Sequence, residues 1–214
     1  MTQTRQPVSN RAVLLKMGFL NLLTIALERL FSVHHFYVAK INLKKFNPDS
    51  SGKKAEGGLQ RVQPDDFLKM TEHLEPLSRS DRRELLSRMI FYNNGFHSCY
   101  CIKVHNEIAC IQWLIEPEDN DIIRQYYRNQ FYPLRSGQVI VDDLFTFPKY
   151  RGRGYLHLIL SRLLCLAKDR GYTTAMTYIR KDKISILNDF LRTGFKLTTL
   201  LREIKIFGFA YRNL

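Results

Sequence analysis

Apolar residues follow two different spacings along this chain, and each spacing predicts a type of secondary structure. Between residues 15 and 30 they recur every three or four positions, as on the apolar face of an amphipathic helix. Residues 36–43 are rich in β-branched and aromatic side chains, which predicts a strand. The start of the chain is therefore expected to form one helix followed by one strand.

From Leu59 onwards, segments with strand character alternate with segments of helical spacing. Strands are predicted at residues 59–62, 96–104, 108–115, 139–147, 173–179 and 195–209, and helices from 64, from 80, at 152–170 and at 184–192. His105-Asn106-Glu107 is predicted to be the turn of a hairpin. Alternating strands and helices indicate an α/β or α+β protein in which helices pack on a sheet.

A polar, glycine-containing segment separates these two parts of the chain. Residues 44–58 include Asn47-Pro48-Asp49-Ser50-Ser51-Gly52 and Gly57-Gly58, and they carry almost no apolar side chains. The sequence therefore predicts an N-terminal unit of helix and strand at 1–43, a linker at 44–58 and a main domain at 59–214.

Composition narrows the class of protein and the class of partner. The chain has 214 residues, of which 45% are hydrophobic, so it can bury a sizeable core and is not a disordered or low-complexity protein. Its formal net charge is +13, and residues 149–214 alone hold fourteen Lys and Arg against four Asp and Glu. Such an excess favours an anionic partner: nucleic acid, an anionic membrane surface or a phosphorylated ligand.

The predicted N-terminal helix has two interpretations. Its apolar face can dock on the main domain or on a second copy of the chain, which would make a homodimer. Alternatively, with Arg11, Lys16 and Arg29 beside that face, the helix can lie in a membrane interface as a peripheral contact with acidic lipid head groups. No apolar run reaches the length of a spanning helix, which needs about 18 residues.

The cysteines and histidines give no sign of a metal site. Cys99, Cys101, Cys110 and Cys165 form no C-x-x-C pair, and His34-His35 has no acid or cysteine at ligand spacing. We therefore expect no bound metal and a reducing, cytoplasmic location. If the N-terminal helix binds lipid, that location is the inner face of the membrane.

The clearest candidate chemistry lies in Tyr150-Arg151-Gly152-Arg153-Gly154-Tyr155-Leu156, which follows a predicted strand and opens a predicted helix. The first turn of a helix has unpaired backbone N–H groups, and its dipole favours anions. Glycines let a phosphate approach the backbone, and the two arginines add positive charge. The segment is therefore a candidate pyrophosphate site. Neither the P-loop nor the three-glycine dinucleotide signature is present, which disfavours nucleotide hydrolases and Rossmann enzymes.

This turn resembles the signature of the GNAT acetyltransferase superfamily: Arg or Gln, two residues, Gly, one residue, then Gly or Ala. Residues 151–155 fit that pattern, and Leu156 departs from it at the last position. Phe147-Pro148-Lys149-Tyr150 is similar to the family's lead-in. Phe190-Leu191-Arg192-Thr193-Gly194-Phe195 resembles a later segment, with Phe190 where many members have a tyrosine. The resemblance covers residues 59–207 and implies a GNAT-like mixed, mostly antiparallel sheet flanked by helices, with the N-terminal amphipathic helix as an extension.

The resemblance also implies an acyltransferase that uses acetyl-CoA or a longer acyl-CoA and acts on an amine or a hydroxyl acceptor. It assigns the backbone of Leu144, Phe145 and Thr146 to the pantetheine arm. It assigns the pyrophosphate to Arg151, Gly152, Arg153, Gly154, Tyr155 and Leu156. The N-terminal extension resembles members that modify a sugar or lipid-linked precursor of cell-surface polysaccharide. Nucleic acid is then not expected as a partner, because much of the C-terminal positive charge would lie beside CoA phosphates.

The resemblance further suggests which residues move protons. In the family an acid on the strand before the turn often serves as the base, and Asp142 and Asp143 are the two acids of that strand here. Alternation along a strand predicts that they point to opposite faces, so that at most one faces the acceptor. Of the two, Asp143 is the first candidate for the base. Tyr155 and Tyr178 are candidate proton donors, with a water molecule as the alternative. Because Phe190 and Leu156 depart from the family pattern, the alternative function is a catalytically inactive GNAT-like module that binds nucleic acid or anionic membrane.

Overall fold

Eight strands form one sheet in the computed structural model, which describes residues 31–48, 57–72, 74–206 and 209–213. The strands are β1 (Phe31–Asn42), β2 (Leu59–Arg61), β3 (Cys99–Val104), β4 (Glu107–Ile115), β5 (Gln138–Thr146), β6 (Thr174–Arg180), β7 (Lys196–Ile206) and β8 (Phe209–Arg212). Their order in the sheet is β2-β3-β4-β5-β6-β1-β7-β8. Neighbouring strands run antiparallel except for β5 and β6. The predicted mixed, mostly antiparallel sheet is confirmed.

Helices pack on both faces of the sheet. They are α1 (Pro64–Glu72), α2 (Arg79–Asn93), α3 (Asn120–Tyr126), α4 (Tyr155–Asp169) and α5 (Ile184–Arg192). Residues of α1 and α2 join the core cluster around Trp113, whereas residues of α4 and α5 join the cluster on the other face. The helix predicted between residues 15 and 30 lies outside the described residues. None of the described helices has both the length and the apolar composition needed to cross a bilayer.

Local sequence signals placed several elements closely. His105 and Asn106 both have positive φ values, 49° and 64°, which is the geometry of a tight hairpin turn between β3 and β4. Helix α5 has the predicted bounds, 184–192. The start of α2 differs by a residue or two, because the Oγ atom of Ser78 rather than that of Ser80 accepts a hydrogen bond from the backbone N–H of Asp81. Helix α3 lies between the predicted strands at 108–115 and 139–147, where the sequence predicted no helix.

Strand β1 revises the domain boundary drawn from the sequence. It lies between β6 and β7, and Val38 and Ala39 at its centre are buried. An inner strand supplies ladder hydrogen bonds to two neighbours at once, so residues 31–42 are part of the main sheet and not of a separate N-terminal unit. Periodicity predicted the strand but not its partners, since pairing across more than a hundred residues leaves no local pattern.

The sheet opens in its middle. Strands β5 and β6 pair only at Gln138–Thr174, Val139–Ala175 and Ile140–Met176, which are the first three residues of each strand. Beyond Ile140, β5 stays paired with β4 while β6 stays paired with β1. The two parallel strands therefore separate towards their carboxyl ends, and the gap between them places the candidate site.

Candidate active site

A cleft of about 520 Å³ occupies the gap between β5 and β6. Its walls come from the diverging strands, from α2 on one side, and from α5, β7 and β8 on the other. Its polar lining includes Arg88, Asp142, Asp143 and Tyr178. A concave site that gathers ionisable side chains from several elements is the usual form of a catalytic or binding site.

Asp142 and Asp143 both line this cleft, so the expectation that they point to opposite faces is wrong. In the pairing of β4 with β5, Ile111 lies opposite Phe145. Two residues further along β4, Trp113 lies opposite Asp142, which is three residues away from Phe145 on β5. Two residues of β5 therefore face one residue of β4, which is a β-bulge. Asp143 has a φ of 57°, in the left-handed region. The bulge interrupts the alternation of side chains and brings both carboxylates to one side.

The two carboxylates have different surroundings. Burial, and then the charge of Asp143, raise the pKa of Asp142 to about 7, although one of its oxygens accepts a hydrogen bond from the backbone N–H of Asp143 at 2.8 Å. Burial also raises the pKa of Asp143, but the Arg88 guanidinium opposes that effect. Nε of Arg88 lies 3.4 Å from Oδ1 of Asp143. Asp142 is therefore the carboxyl that changes its protonation near neutral pH.

Arg88 is a residue of the site that sequence reasoning missed. Its guanidinium donates hydrogen bonds to the backbone carbonyls of Asp143 at 3.0 Å and Leu144 at 2.6 Å. A third hydrogen bond joins it to the carbonyl of Glu84 at 2.8 Å, and its side chain is 11% exposed. Arginine is common on exposed helix surfaces, and nothing in the pattern of α2 marks this one.

Tyr178 is the predicted proton donor that the structure places in the cleft. Its Oη atom accepts a hydrogen bond from the backbone N–H of Tyr132 at 3.1 Å, and burial is the largest cause that raises its pKa to about 12. The phenol is therefore protonated at neutral pH. Tyr155, the other candidate, packs against Tyr150 with ring centroids 5.7 Å apart and does not line the cleft.

A buried ion pair closes the far end of the cleft. Nε of Arg212 on β8 lies 2.7 Å from Oε2 of Glu203 on β7, and the arginine also stacks over the Phe36 ring at 4.0 Å. Both charged side chains are almost fully buried. This pair, which the sequence analysis did not identify, fixes the β7–β8 hairpin against the cleft and adds charge near Asp142.

The glycine turn before α4 is open. Gly152 and Gly154 have φ values of 72° and 83°, and a Cβ atom at either position would meet nothing within 4 Å. The first turn-closing hydrogen bond of α4 runs from the N–H of Leu158 to the carbonyl of Gly154, so the N–H groups of residues 155–157 precede the helical ladder. The Cβ positions of the two glycines are open, and unpaired amides at a helix N-terminus are a type of group that binds phosphate.

Arginine side chains already form hydrogen bonds with some of the backbone carbonyls that the family resemblance assigns to the cofactor. Nε of Arg151 donates to the carbonyl of Thr146 at 3.1 Å, and its Nη2 pairs with the Asp81 carboxylate of α2. The Leu144 carbonyl is taken by Arg88. A pantetheine arm along this strand would therefore use other backbone groups of residues 144–146 or displace an arginine. Arg153 in the same turn is exposed.

Metal chemistry gains no support from side-chain positions. Within the described ranges, no group of three or more histidine, cysteine or acidic side chains is arranged to hold a metal ion.

The arrangement of sheet, cleft and glycine turn has counterparts among solved structures. The GCN5-related glucosamine N-acetyltransferase region of a fungal multi-domain β-N-acetylglucosaminidase aligns with a TM-score of 0.62 and 12% identity, over 86% of this chain and 23% of that one. An acetyltransferase from the GNAT family of Colwellia psychrerythraea aligns with a TM-score of 0.52 and 12% identity, over 86% and 60% of the two chains. The chain has the GNAT acetyltransferase fold.

A GCN5-related N-acetyltransferase from Sphaerobacter thermophilus shows the same GNAT fold, with a TM-score of 0.50 and 13% identity over 89% of this chain and 58% of that one. The chain spans less than two thirds of each of these three proteins. No protein-family model matches the sequence, and no curated protein matches it either.

The two residues that depart from the family pattern, Phe190 and Leu156, lie in different surroundings. Phe190 lines the cleft and packs on Phe195 with ring centroids 5.0 Å apart, so the position of the family's tyrosine does face the cleft. Leu156 packs partly buried against the core cluster around α4. Its side chain therefore points towards the apolar core.

Proposed function

We propose that this protein is an acyltransferase that uses acetyl-CoA or a longer acyl-CoA and acylates an amine or hydroxyl acceptor. The observation that carries the proposal is the open glycine turn at the start of α4, which follows directly on the strand that holds Asp142 and Asp143. Such a transfer needs a site that binds the phosphates of the cofactor and a base that takes the proton of the acceptor. The glycine turn would provide the first and a carboxylate in the cleft the second. The GNAT fold supports the same reaction class.

Residues on β5 and in the glycine turn would bind the acyl-CoA. The amides of Arg151, Gly152, Arg153, Gly154, Tyr155 and Leu156 would hold the pyrophosphate, and the backbone of Leu144, Phe145 and Thr146 would orient the pantetheine arm. When bound, the cofactor supplies a thioester whose acyl carbon is open to a nucleophile. Gly152 and Gly154 add no side chain of their own to the turn, so that phosphate oxygens could approach its backbone at these two positions.

Asp142 is the residue we assign as general base. A carboxyl with a pKa of about 7 is partly ionised at neutral pH and still basic enough to take a proton from an acceptor, directly or through a water. Asp143, whose ionised form Arg88 stabilises, acts beside it as a neighbouring charge. This order reverses the sequence-based preference for Asp143.

Tyr178 is the residue we assign as proton donor. Its own O–H proton remains for a partner in the cleft, because its oxygen already accepts the hydrogen bond from Tyr132. Phe190 has no proton to give, so the family's usual donor position cannot serve in this chain. A water in the cleft would be the alternative donor.

Both an amine and a hydroxyl suit the cleft as acceptors. A protonated amine would pair with Asp142 and Asp143, and Asp142 could then remove its proton, whereas a neutral acceptor would suit a lining that holds five Lys and Arg beside four Asp and Glu. An amino sugar is one such amine and agrees with the proposed action on a sugar or lipid-linked precursor of cell-surface polysaccharide. The protein would be cytoplasmic, and the apolar face of its N-terminal helix would make either a peripheral contact at the membrane's inner face or a contact with a second copy in a homodimer.

The competing function is a binding module without catalysis. Phe190 favours it, because the phenylalanine stands at the position of the family's tyrosine and has no hydroxyl proton to give to the leaving CoA. In that case the basic C-terminal third would serve an anionic membrane or nucleic acid. The two functions differ in whether free CoA is ever released.

The test is release of the CoA thiol from acetyl-CoA in the presence of defined acceptors. The acceptor panel contains glucosamine, glucose as its hydroxyl-only analogue, a simple alkylamine, an arylalkylamine and a lysine-containing peptide. We expect release above the protein-free background with at least one acceptor, and loss of that release in Asp142→Asn. If acetyl-CoA binds but no acceptor releases thiol, the binding module is the better account.

A further inference from the structure

The backbone of Asp143 adopts a conformation that needs support. A φ of 57° in a residue with a side chain is uncommon, and it lies at the extra residue of the bulge in β5. Such conformations persist where the surrounding structure holds them in place. Within β5 the N–H of Asp143 donates to the Asp142 carboxylate, and any further support comes from an element other than β6, because at this point β5 has already separated from it.

Arg88 of α2 is placed to give that support. Its planar guanidinium contacts two consecutive carbonyls within the bulge, those of Asp143 and Leu144, at 3.0 and 2.6 Å. Its third hydrogen bond goes to its own helix, at the carbonyl of Glu84, and its carbon atom Cζ lies 5.4 Å from the centroid of the Phe145 ring. The side chain is thus held on both sides and ties α2 to the bulge.

We propose that Arg88 is a positioning residue: it holds the left-handed backbone of Asp143 and thereby turns both carboxylates into the cleft. The inference rests on the proposed function only for its consequence, which is that the base faces the acceptor. Its structural part stands by itself. A fork with several donors in one plane can bridge two carbonyls, which the single ammonium of lysine cannot do in the same way.

Charge is the second part of the role. The titratable groups that act on Asp143 or that it acts on are Glu84 and Arg88 from α2, Asp142 from β5, Tyr127 that follows α3, and Cys99 from β3. Arg88 is the cation among them, and it lowers the pKa of Asp143 against the effect of burial. Arg212 acts on Asp142 from β8, and Asp142 in turn raises the pKa of Tyr178 on β6.

The test is a carboxyl titration by NMR of the full chain labelled with ¹³C at aspartate, without any cofactor. The signals of Asp142 and Asp143 are assigned from the two single Asp→Asn variants. The compared proteins are the wild type, Arg88→Met, Arg88→Lys and Arg79→Met, the last being an exposed arginine of the same helix. The backbone shifts of residue 143 report whether its conformation is left-handed.

In Arg88→Met we expect the first titration step of the coupled pair to move upward by about one pH unit or more, because an opposite charge is lost. The backbone shifts of residue 143 should leave the left-handed range. Arg88→Lys keeps the charge without the fork, so its titration should stay nearer to the wild type while the backbone shifts change. Arg79→Met should match the wild type in both.

An Arg88→Met protein that titrates like the wild type and keeps the left-handed shifts would overturn the inference. So would a variant that loses only thermal stability, since that is the mark of a merely structural residue. If Arg88→Met does not fold, Arg88→Lys and Arg88→Gln are read by the same two criteria. Failure of the proposed function would appear separately, as absence of CoA binding with the titration result intact.

Discussion

The guanidinium of Arg151 forms an ion pair with the carboxylate of Asp81, which joins the glycine turn before α4 to the first turn of α2. Burial acts to raise the pKa of Asp81, but hydrogen bonds from Arg151 and Ser78 outweigh it and lower the pKa overall. The arginine that the signature assigns to a phosphate therefore already holds an anion. Cofactor binding would have to compete with Asp81 for this side chain.

Asp81→Asn should therefore strengthen the binding of acetyl-CoA. Loss of a partly exposed ion pair is worth about 0.2–1 kcal/mol, so the dissociation constant should fall by up to about fivefold. Calorimetry of the variant and the wild type measures it. The matched control is Asp121→Asn, which removes another ion-paired acid from the first turn of a helix, α3. Weaker binding in Asp81→Asn would show that Asp81 orients Arg151 instead of competing for it.

Asp142→Asn should lower turnover by about 10²–10⁴, the usual contribution of a general base, with little change in acetyl-CoA affinity. Asp143→Asn should cost less, since Asp143 acts as a neighbouring charge. In the wild type, activity should rise with pH up to about 7, the pKa of Asp142, because the base works deprotonated. A larger loss in Asp143→Asn than in Asp142→Asn would exchange the two roles.

The protonation of Asp142 also predicts how stability depends on pH. The ordinary pKa of an aspartate carboxyl is 3.8, whereas the pKa of Asp142 in the folded protein is about 7. Between these two pH values the folded chain therefore holds the proton more tightly than the unfolded chain. Stability from this group is therefore lost as pH rises through that window. The melting temperature should fall more from pH 5 to pH 8 in the wild type than in Asp142→Asn. Parallel curves for the two proteins would contradict the raised pKa.

Tyr178→Phe tests the proton donor. The variant keeps the ring that packs against Phe131 at 5.4 Å but loses the hydroxyl, so the acetyl-CoA dissociation constant should stay near the wild-type value. Turnover should fall by about 10²-fold or more if the phenol gives its proton to the leaving thiolate. Unchanged turnover, measured with the same acceptor, would leave that step to water.

Much of the fold could be predicted from local signals, and the site only in part. The hairpin at His105 and Asn106 and the end of α5 before Gly194 follow from turn and cap residues that act within a few positions. The bulge at Asp143 depends on register against β4, and strand alternation therefore predicted the wrong facing of one carboxylate. Arg88 reaches β5 from 55 residues away, so no local pattern marks it.

The glycine turn shows the opposite case. The sequence predicted from residue type and order that a helix follows this turn, but it placed the start at Gly152, whereas Gly152 and Gly154 have positive φ and the helix begins at Tyr155. What the sequence did not predict is the occupation of Arg151 by Asp81, because α2 lies next to the turn only in the folded sheet. The sequence therefore indicated the chemistry of the turn but not the residues of other elements that contact it.

The central claim is that the turn before α4 binds the pyrophosphate of acyl-CoA, and calorimetry of acetyl-CoA tests it most directly, at two temperatures so that a heat near zero is not mistaken for absence of binding. Gly154→Asp places a carboxylate against the pyrophosphate. Gly171→Asp is its control at the other end of α4, with a similar φ of 86° and equally open space. We predict one-to-one binding in the wild type and in Gly171→Asp, and none in Gly154→Asp. No binding to the wild type at millimolar acetyl-CoA, or equal binding in all three proteins, would contradict the account.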